Sequence, residues 1–277
     1  MVRDRKKLAF WRRGKPTPEF DIVRLRSADK PKGIRFETLA DARKESERSE
    51  KALRSFSGSN NEIIQYLQEC RAGYYECNQP FCPICAGRFR RWFIGELLRV
   101  TKGQRRVYIY TVLLEEAPKD RIDTLDPAPF RHLLRKRLQR AGLSKVPVIG
   151  GFEIVYRAKT RLWVLHANLV MIGGKKTARK KFEDSFKRDG IERPVLGAVL
   201  KNAPKQLSYI LKFTTYHRPH EQRGSTKSQA KALNPREHAA LLEWMSQFDF
   251  QDFLFLVNAK RQGGTRIVFA QHSTNSK

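Results

Sequence analysis

The stretch GGFEIVYRAKTRLWVLHANLVM, residues 150–171, decides the fold. Two runs in it, 150–157 and 161–171, are rich in β-branched and aromatic residues, and a short AKT segment separates them. This pattern predicts two antiparallel strands joined by a tight turn. Both faces of the second strand are largely apolar, which favours a position in the middle of a covered sheet.

Patterns on either side extend the sheet and add helices. Further strands are predicted at 106–114 and 194–201, with a final hairpin at 253–270 turning near Gly263 and Gly264. Helices are predicted at 38–57, 87–100, 129–143, 176–190 (ended by Gly190), 204–213 and 235–248. From residue 106 the order is β-α-β-β-α-β-α, so we expect an α+β fold with a central antiparallel sheet flanked by helices.

Composition divides the chain into four segments. They are a basic arm and helix (1–60), a zinc-binding segment with a basic helix (61–104), a core (105–218), and a polar linker followed by a helix and a β-hairpin (219–277). The arm is rich in Lys and Arg and is interrupted by prolines, a pattern that fits either a segment that orders on binding DNA or a solvated tail.

The charge of the chain points to nucleic acid as its partner. The 277 residues include 56 Lys and Arg against 28 Asp and Glu, a formal net charge of +28. Lys and Arg side chains that neutralise phosphates release condensed counterions, which favours binding. The sequence shows no run of about 18 apolar residues, no secretory signal and no lipidation motif. We therefore expect a cytoplasmic protein that does not bind membranes.

All four cysteines fall in one short window, with the spacing Cys70-x6-Cys77-x4-Cys82-x2-Cys85. Clustered cysteines without an export signal favour a metal site over disulfides. Four thiolates suit a structural zinc ion, which could supply folding energy to this segment. Two alternatives are free, redox-active thiols and a site of three cysteines completed by a distant histidine.

Basic side chains near this window are candidate DNA contacts. The helix predicted at 87–100 combines aromatic residues with four arginines, and a lysine precedes the tyrosine of the 204–213 helix. We expect phosphate contacts from Arg88, Arg90, Arg91, Arg99 and Lys205.

The second strand of the hairpin carries two polar side chains on one face. His166 and Asn168 are two residues apart, and a turn near 158–160 places Glu153 roughly opposite His166. An imidazole, an amide oxygen and a carboxylate make an open site for Mg²⁺ or Mn²⁺. The alternative is that these buried groups only satisfy one another. A slip of one residue in register would turn Glu153 away.

The predicted helix at 204–213 presents Tyr209 and Lys212 on the side opposite its aliphatic stripe. A nearby ammonium group favours the phenolate form of a tyrosine. A phenolate can attack a phosphate that a metal ion has made electrophilic. The alternative is an ordinary, half-buried tyrosine.

Four stretches, taken in order, resemble the HUH endonuclease superfamily and most closely the replication initiators of small rolling-circle plasmids. They are CNQPFCPICAGRFRR, a Cys-rich segment before an Arg-rich helix; VYIYTVLL, a first strand; the hairpin at 150–171, where a Glu precedes a His-hydrophobic-His strand; and QLSYILKF, a Tyr-x-x-Lys helix. The resemblance covers roughly residues 70–215.

The resemblance implies a fold, a reaction and a set of residues. Tyr209 would be the nucleophile and Lys212 its partner, with His166, Glu153 and the residue at position 168 holding a catalytic Mg²⁺ or Mn²⁺. The fold would be an antiparallel sheet with the metal on its face and the tyrosine helix alongside. The reaction would nick single-stranded or hairpin origin DNA, leaving a 5′-phosphotyrosine and a free 3′-hydroxyl, with the helicase and polymerase of the host as possible partners.

The chain departs from the family pattern at two positions. Asn168 stands where the family has its second histidine, and an amide oxygen is a weaker ligand that still suits Mg²⁺. Lys205 lies one turn before the tyrosine, where related initiators can carry a carboxylate that ends replication. This second departure favours strand transfer or another way of ending the reaction.

We therefore expect a metal-dependent tyrosine nickase or strand transferase that initiates rolling-circle replication or strand transfer. The first alternative is a DNA-binding protein on the same scaffold that cuts poorly because of Asn168, and that recognises an origin or regulates replication. The second is a zinc-containing RNA-binding protein that stacks bases on Trp92 and Trp163.

Overall fold

The computed structural model describes residues 37–56, 61–187, 194–213, 215–217, 231–263 and 265–270. The basic arm and most of the polar linker predicted from the sequence lie outside these residues. In the described part of the chain, no helix combines the length and the apolar character that crossing a membrane requires.

Seven α-helices and nine strands are described. The helices are α1 (Leu39–Phe56), α2 (Asn61–Ala72), α3 (Pro83–Thr101), α4 (Pro127–Arg140), α5 (Lys176–Asp184), α6 (Ala203–Leu207) and α7 (Pro235–Met245), with one 3-10 turn at Ile122–Thr124. The strands are β1 (Val107–Pro118), β2 (Val148–Arg157), β3 (Leu162–Ile172), β4 (Val195–Val199), β5 (Tyr216–His217), β6 (Lys231–Ala232), β7 (Leu254–Val257), β8 (Ala259–Gln262) and β9 (Arg266–Phe269).

Five strands form one sheet in the order β4-β1-β3-β2-β7, and every neighbouring pair is antiparallel. The predicted class, an α+β fold with an antiparallel sheet flanked by helices, is confirmed. The order β-α-β-β-α-β-α predicted from residue 106 is that of β1-α4-β2-β3-α5-β4-α6. The hairpin at 150–171 forms the centre of the sheet as strands β2 and β3.

Three local predictions were wrong in extent or pairing. Helix α6 ends at Leu207, so residues 208–211 form a turn where the sequence predicted that the helix continues to residue 213. Helix α5 ends at Asp184, before the predicted stop at Gly190, which lies outside the described residues. The final segment is not one hairpin, because β7 pairs with β2 in the main sheet and only β8 and β9 pair with each other.

The two faces of the sheet are covered differently. Helices α4 and α5 cover one face, where Arg131 lies over the ring of Phe152 and Phe182 contacts Tyr110 edge to face. The other face carries the polar side chains of β2 and β3 and is covered in part by the turn after α6. The strand pair thus places its polar groups on the face opposite α4 and α5.

A cluster of aromatic rings attaches the N-terminal helices to this second face. Phe89 of α3 stacks on Phe250 with ring centroids 4.3 Å apart. Phe213, just after the turn, contacts Phe89 and Phe253 at 6.3 and 5.4 Å. Aromatic pairs in these geometries contribute about 0.5–1.5 kcal/mol each beyond their burial. The cluster therefore fixes α3 relative to the turn.

Helices α1 and α7 meet at a buried histidine. His238 is 1% exposed, its Nε2 lies 3.1 Å from Ser49 Oγ and 3.6 Å from Glu45 Oε1, and Arg48 is nearby. Burial and, to a smaller extent, the charge of Arg48 lower the pKa of His238, and Glu45 opposes them, with a net pKa of about 4. The folded protein therefore holds His238 neutral at pH values where an exposed histidine takes up a proton.

This histidine makes stability depend on pH in a defined window. A histidine in the unfolded protein has a pKa near 6.5. The contribution of the neutral His238 to the unfolding free energy is therefore fully present above that pH and is lost as the pH falls towards 4. Between pH 7 and pH 5 we expect the wild type to lose about 2 kcal/mol more unfolding free energy than His238→Gln. Urea unfolding at both pH values measures this. An equal loss in the two proteins would show that His238 does not titrate in this way.

Candidate functional site

Two elements bring the four cysteines together. Cys70 lies in the last turn of α2, Cys77 in the following loop, Cys82 at the N-cap of α3 and Cys85 in its first turn. Pro83 at the first position of α3 starts that helix in the conformation it requires. All four side chains are buried.

The four sulfur atoms have the spacing of a metal centre. All lie within 4.8 Å of one another, and Cys85 Sγ is 3.9 Å from Cys70 Sγ and 3.8 Å from Cys77 Sγ. Sulfurs at about 2.3 Å from a tetrahedral ion are about 3.8 Å apart. The four cysteines are therefore close enough to bind one metal ion, and their convergence favours a four-thiolate site over three cysteines and a histidine.

The surroundings of the centre favour a thiolate at Cys70 but not at every cysteine, because burial raises the pKa of Cys77 and the hydrogen bond with Cys70 raises the pKa of Cys85. The backbone N–H of Cys77 donates to Cys70 Sγ at 3.0 Å. Hydrogen bonds from the side chains of Cys77, Cys82 and Cys85 lower the pKa of Cys70. The N-terminus of α3, whose dipole attracts negative charge, carries two of the sulfurs.

A second centre lies on the sheet. The register of β2 and β3 places Glu153 directly opposite His166, as the sequence predicted. Glu153 Oε2 lies 3.6 Å from His166 Nε2, and both side chains are largely buried. Asn168 is on the same face and its Nδ2 donates to Glu153 Oε1 at 2.8 Å. The structure therefore brings together the three residues that the sequence proposed as a divalent-metal site.

The orientation of Asn168 differs from that of a simple ligand. Its Oδ1 accepts a hydrogen bond from the hydroxyl of Thr111 at 2.6 Å, and its Nδ2 donates to the carboxylate of Glu153. Thr111 stands opposite Asn168 on β1. The two atoms presented for a metal ion in this arrangement are therefore Glu153 Oε2 and His166 Nε2. The ligand role of Asn168 stays a prediction.

Tyr209 lies in the turn that follows α6, which we call the tyrosine turn (residues 208–211). Its side chain is 53% exposed, and Lys212 Nζ lies 4.0 Å from the centroid of its ring. The backbone N–H of Leu211 donates to Glu153 Oε1 at 2.5 Å. The structure thus places an exposed tyrosine, with a lysine against its ring, on a turn that is tied to the centre on the sheet.

The arginines proposed as DNA contacts make internal contacts. Arg90 is 6% exposed, its Nη1 lies 2.9 Å from Glu37 Oε2, and its Nη2 donates to the carbonyl of Ser208 at 2.5 Å. Arg88 pairs with Glu76, Arg91 donates to the carbonyl of Glu37, and Arg99 pairs with Glu96 and the carbonyl of Ile267. The side chain of Lys205 is exposed beside the tyrosine turn. Their roles in DNA binding stay predictions.

Sequence reasoning missed two contributors to this site, Thr111 and the approach of Leu211 to Gly151, and gave a third, Arg90, only a role in DNA contact. Arg90 carried a signal, because it shares a helical face with Ile94 and Leu97 and so belongs to the buried side of α3. Thr111 carried none, since only the pairing of β1 with β3 places it beside Asn168. The close approach of Leu211 to Gly151 also requires the folded structure.

Gly151 allows the tyrosine turn to lie against the sheet. A Cβ at this position would come within 2.4 Å of Leu211 Cδ2 and 2.6 Å of the carbonyl oxygen of Phe253. We expect Gly151→Ala to reduce the unfolding free energy by about 2–3 kcal/mol, because a backbone atom has to move. In the control Gly87→Ala, the nearest atom to the new Cβ is Arg91 Nη1 at 3.9 Å.

The control lies inside α3, so we expect Gly87→Ala to stabilise the protein by about 0.5–1 kcal/mol. Urea titrations of the two variants and the wild type, followed by circular dichroism, give all three values. A neutral Gly151→Ala would mean that the turn does not rest on the sheet at this point.

Comparison with protein-family models, curated proteins and solved structures gave no match to this chain.

Proposed function

We propose that this protein cuts one strand of DNA with Tyr209 as nucleophile, in a site that also holds a divalent metal ion. The observation that carries the proposal is the geometry of the tyrosine turn. An exposed phenol with an ammonium group against its ring stands on a turn whose backbone is bonded to Glu153, and Glu153 faces His166. Such a combination of nucleophile, cation and ligand pair supports phosphoryl transfer.

The residues present fit a divalent ion in an open site. An imidazole nitrogen and a carboxylate oxygen 3.6 Å apart are ligand types that Mn²⁺ and Mg²⁺ accept. When bound there, the ion would polarise a phosphate oxygen and so make the phosphorus more electrophilic. Two protein ligands leave most coordination positions for water and substrate.

The proposed step conserves atoms and charge. The phenol of Tyr209 gives its proton to water, its oxygen forms a bond to phosphorus, and the bond from phosphorus to the 3′ oxygen breaks. The leaving oxygen takes a proton from water and becomes a 3′-hydroxyl, while the 5′ side stays attached to Tyr209 as a phosphodiester. Lys212, whose Nζ lies 4.0 Å from the centroid of the Tyr209 ring, places a positive charge next to the attacking group. The product can serve as a primer or be resealed by strand transfer, which suits the initiation of rolling-circle replication.

Exposed positive charge supports DNA as the substrate class. The net charge of the whole chain is +28, Lys201 and Lys205 are exposed, and the carbonyl of Lys205 accepts a hydrogen bond from Ser208 in the tyrosine turn. We also propose that the four-cysteine centre holds a structural zinc ion, because its sulfur spacing matches a tetrahedral Zn–S₄ site.

One observation favours a weakened relative of this function. The oxygen of Asn168 is bonded to Thr111 and its nitrogen faces Glu153, so the site presents fewer metal ligands than a site with two histidines. A protein that recognises an origin or hairpin, binds it tightly and cuts slowly would have this arrangement.

Covalent trapping tests the proposal. Labelled single-stranded and hairpin DNA is incubated with Mn²⁺ and then denatured, using Tyr209→Phe as the test variant and Tyr74→Phe as the control. Tyr74 is the more exposed of the two tyrosines, at 89%. We expect a denaturation-resistant adduct in the wild type and the control and none in Tyr209→Phe.

The other outcomes are equally informative. An adduct that survives in Tyr209→Phe would assign the nucleophile elsewhere. Tight binding of DNA without any adduct, with Mg²⁺ or Mn²⁺, would select the binding-only function, and a preference for RNA competitors would select the RNA-binding alternative.

Removal of zinc tests the second centre. We expect about one zinc ion per purified chain and loss of cooperative thermal unfolding after chelation, because structural zinc sites contribute on the order of 10 kcal/mol to folding. Elemental analysis and thermal melts with and without chelator measure both quantities, and Cys85→Ser should reproduce the chelated state. A purified protein without zinc that melts cooperatively would contradict this proposal.

A further inference from the structure

A continuous chain of hydrogen bonds crosses the polar face of the sheet and ends at the tyrosine turn. Thr111 Oγ1 donates to Asn168 Oδ1 at 2.6 Å, and Asn168 Nδ2 donates to Glu153 Oε1 at 2.8 Å. The backbone N–H of Leu211 donates to the same carboxylate oxygen at 2.5 Å. This series of hydrogen bonds therefore links β1, β3 and β2 to the segment that carries Tyr209.

The carboxylate of Glu153 fixes which atoms donate and which accept in this series of hydrogen bonds. An ionised carboxylate only accepts hydrogen bonds, so the atom of Asn168 that faces Glu153 has to be the N–H₂ donor. The amide oxygen then lies on the Thr111 side, where the hydroxyl supplies its hydrogen. Turning the amide over would place its oxygen against a buried carboxylate, which costs free energy in a largely apolar setting.

The backbone of the tyrosine turn is in a conformation that needs outside support. Leu211 has a φ of 55°, which lies in the left-handed region that non-glycine residues rarely adopt. Its side chain is buried against Gly151, and its N–H is held by Glu153. On the other side of Tyr209, Arg90 donates to the carbonyl of Ser208. Tyr209 is therefore held from both sides.

We propose that Asn168 is a positioning residue that acts through Glu153, and that it does not act as a metal ligand. It directs Glu153 Oε1 at the N–H of Leu211 and thereby fixes the turn that presents Tyr209, while Glu153 Oε2 stays directed at His166. This proposal rests on the proposed role of Tyr209 as nucleophile. This role gives a reason for an asparagine at position 168, because its N–H₂ group can donate to the carboxylate of Glu153.

The variant Asn168→Asp separates the two roles because they give opposite results. Asp has the same size and is a better ligand for Mn²⁺, but it removes the N–H donor and places a second carboxylate beside Glu153. If Asn168 were a ligand, Asn168→Asp would bind Mn²⁺ at least as tightly as the wild type. If Asn168 positions the tyrosine turn, the backbone of the turn is less protected from hydrogen exchange in Asn168→Asp than in the wild type.

Hydrogen exchange of the metal-free and DNA-free protein at pH 8, followed by mass spectrometry, reads the turn directly. We expect exchange of the peptide covering 207–213 to be about 10- to 100-fold faster in Asn168→Asp, which is the loss expected for a hydrogen bond to a charged group. Exchange in α4, on the opposite face, should not change and reports that the variant is folded. Unchanged protection of 207–213 would overturn the proposal.

One further variant keeps the test valid. Glu153→Gln retains an amide oxygen that can accept hydrogen bonds from both Asn168 and Leu211, as one oxygen of Glu153 does in the wild type. We therefore expect protection of 207–213 close to wild type in Glu153→Gln. A loss of protection as large as that in Asn168→Asp would contradict this role of the oxygen.

Kinetics distinguish positioning from general loss of structure. We expect Asn168→Asp to slow adduct formation about 100-fold, the effect of displacing a reacting group by about 1 Å, with an unchanged Kd for DNA in fluorescence anisotropy. Equal loss of rate and affinity would overturn the positioning role. If no adduct forms even in the wild type, the proposed nickase fails, while the exchange measurements still decide whether Asn168 holds the turn.

Discussion

The burial of the Glu153 carboxylate constrains everything around the candidate site. An ionised carboxylate inside a largely apolar sheet costs several kcal/mol unless hydrogen-bond donors surround it. Here the donors are the amide of Asn168 and the backbone N–H of Leu211, and His166 Nε2 lies near the second oxygen. The N–H of Leu211 comes from a distant part of the sequence. Its hydrogen bond to the carboxylate therefore also fixes the position of the segment that carries Tyr209 relative to the sheet.

Helix α3 connects the two centres of the molecule. Its first turn carries Cys82 and Cys85, and two turns later Phe89 and Arg90 reach the region of the tyrosine turn. Because a helix is stiff over this length, the position of the cysteine centre and the position of the turn are not independent. An arrangement that fixes the cysteines also fixes the N-terminus of α3. Arg90 of the same helix then holds the carbonyl of Ser208 in the tyrosine turn.

The sequence was sufficient for the central hairpin of the sheet but not for the pairing of β7 or for the tyrosine turn. The hairpin 150–171 could be predicted, with Glu153 opposite His166, because a tight turn and a strand with two apolar faces leave few registers. Residues 204–213 have a good helical pattern, yet α6 ends at Leu207. Tertiary contacts decide this, since Leu211 is buried against Gly151 and its N–H is bonded to Glu153. Local propensity does not contain those contacts.

The two kinds of basic residue near the site have different surroundings, and the physical properties of the side chains explain the difference. Arg90 is buried and uses its planar group to hold a carboxylate and a carbonyl at once, which requires fixed geometry. Lys201 and Lys205 are exposed beside the turn. A lysine is a flexible point charge and attracts phosphates without imposing an orientation. In the proposed reaction, a DNA strand at Tyr209 would therefore meet lysines at the surface, and Arg90, Glu153 and Asn168 beneath them would set the geometry of the turn that carries the nucleophile.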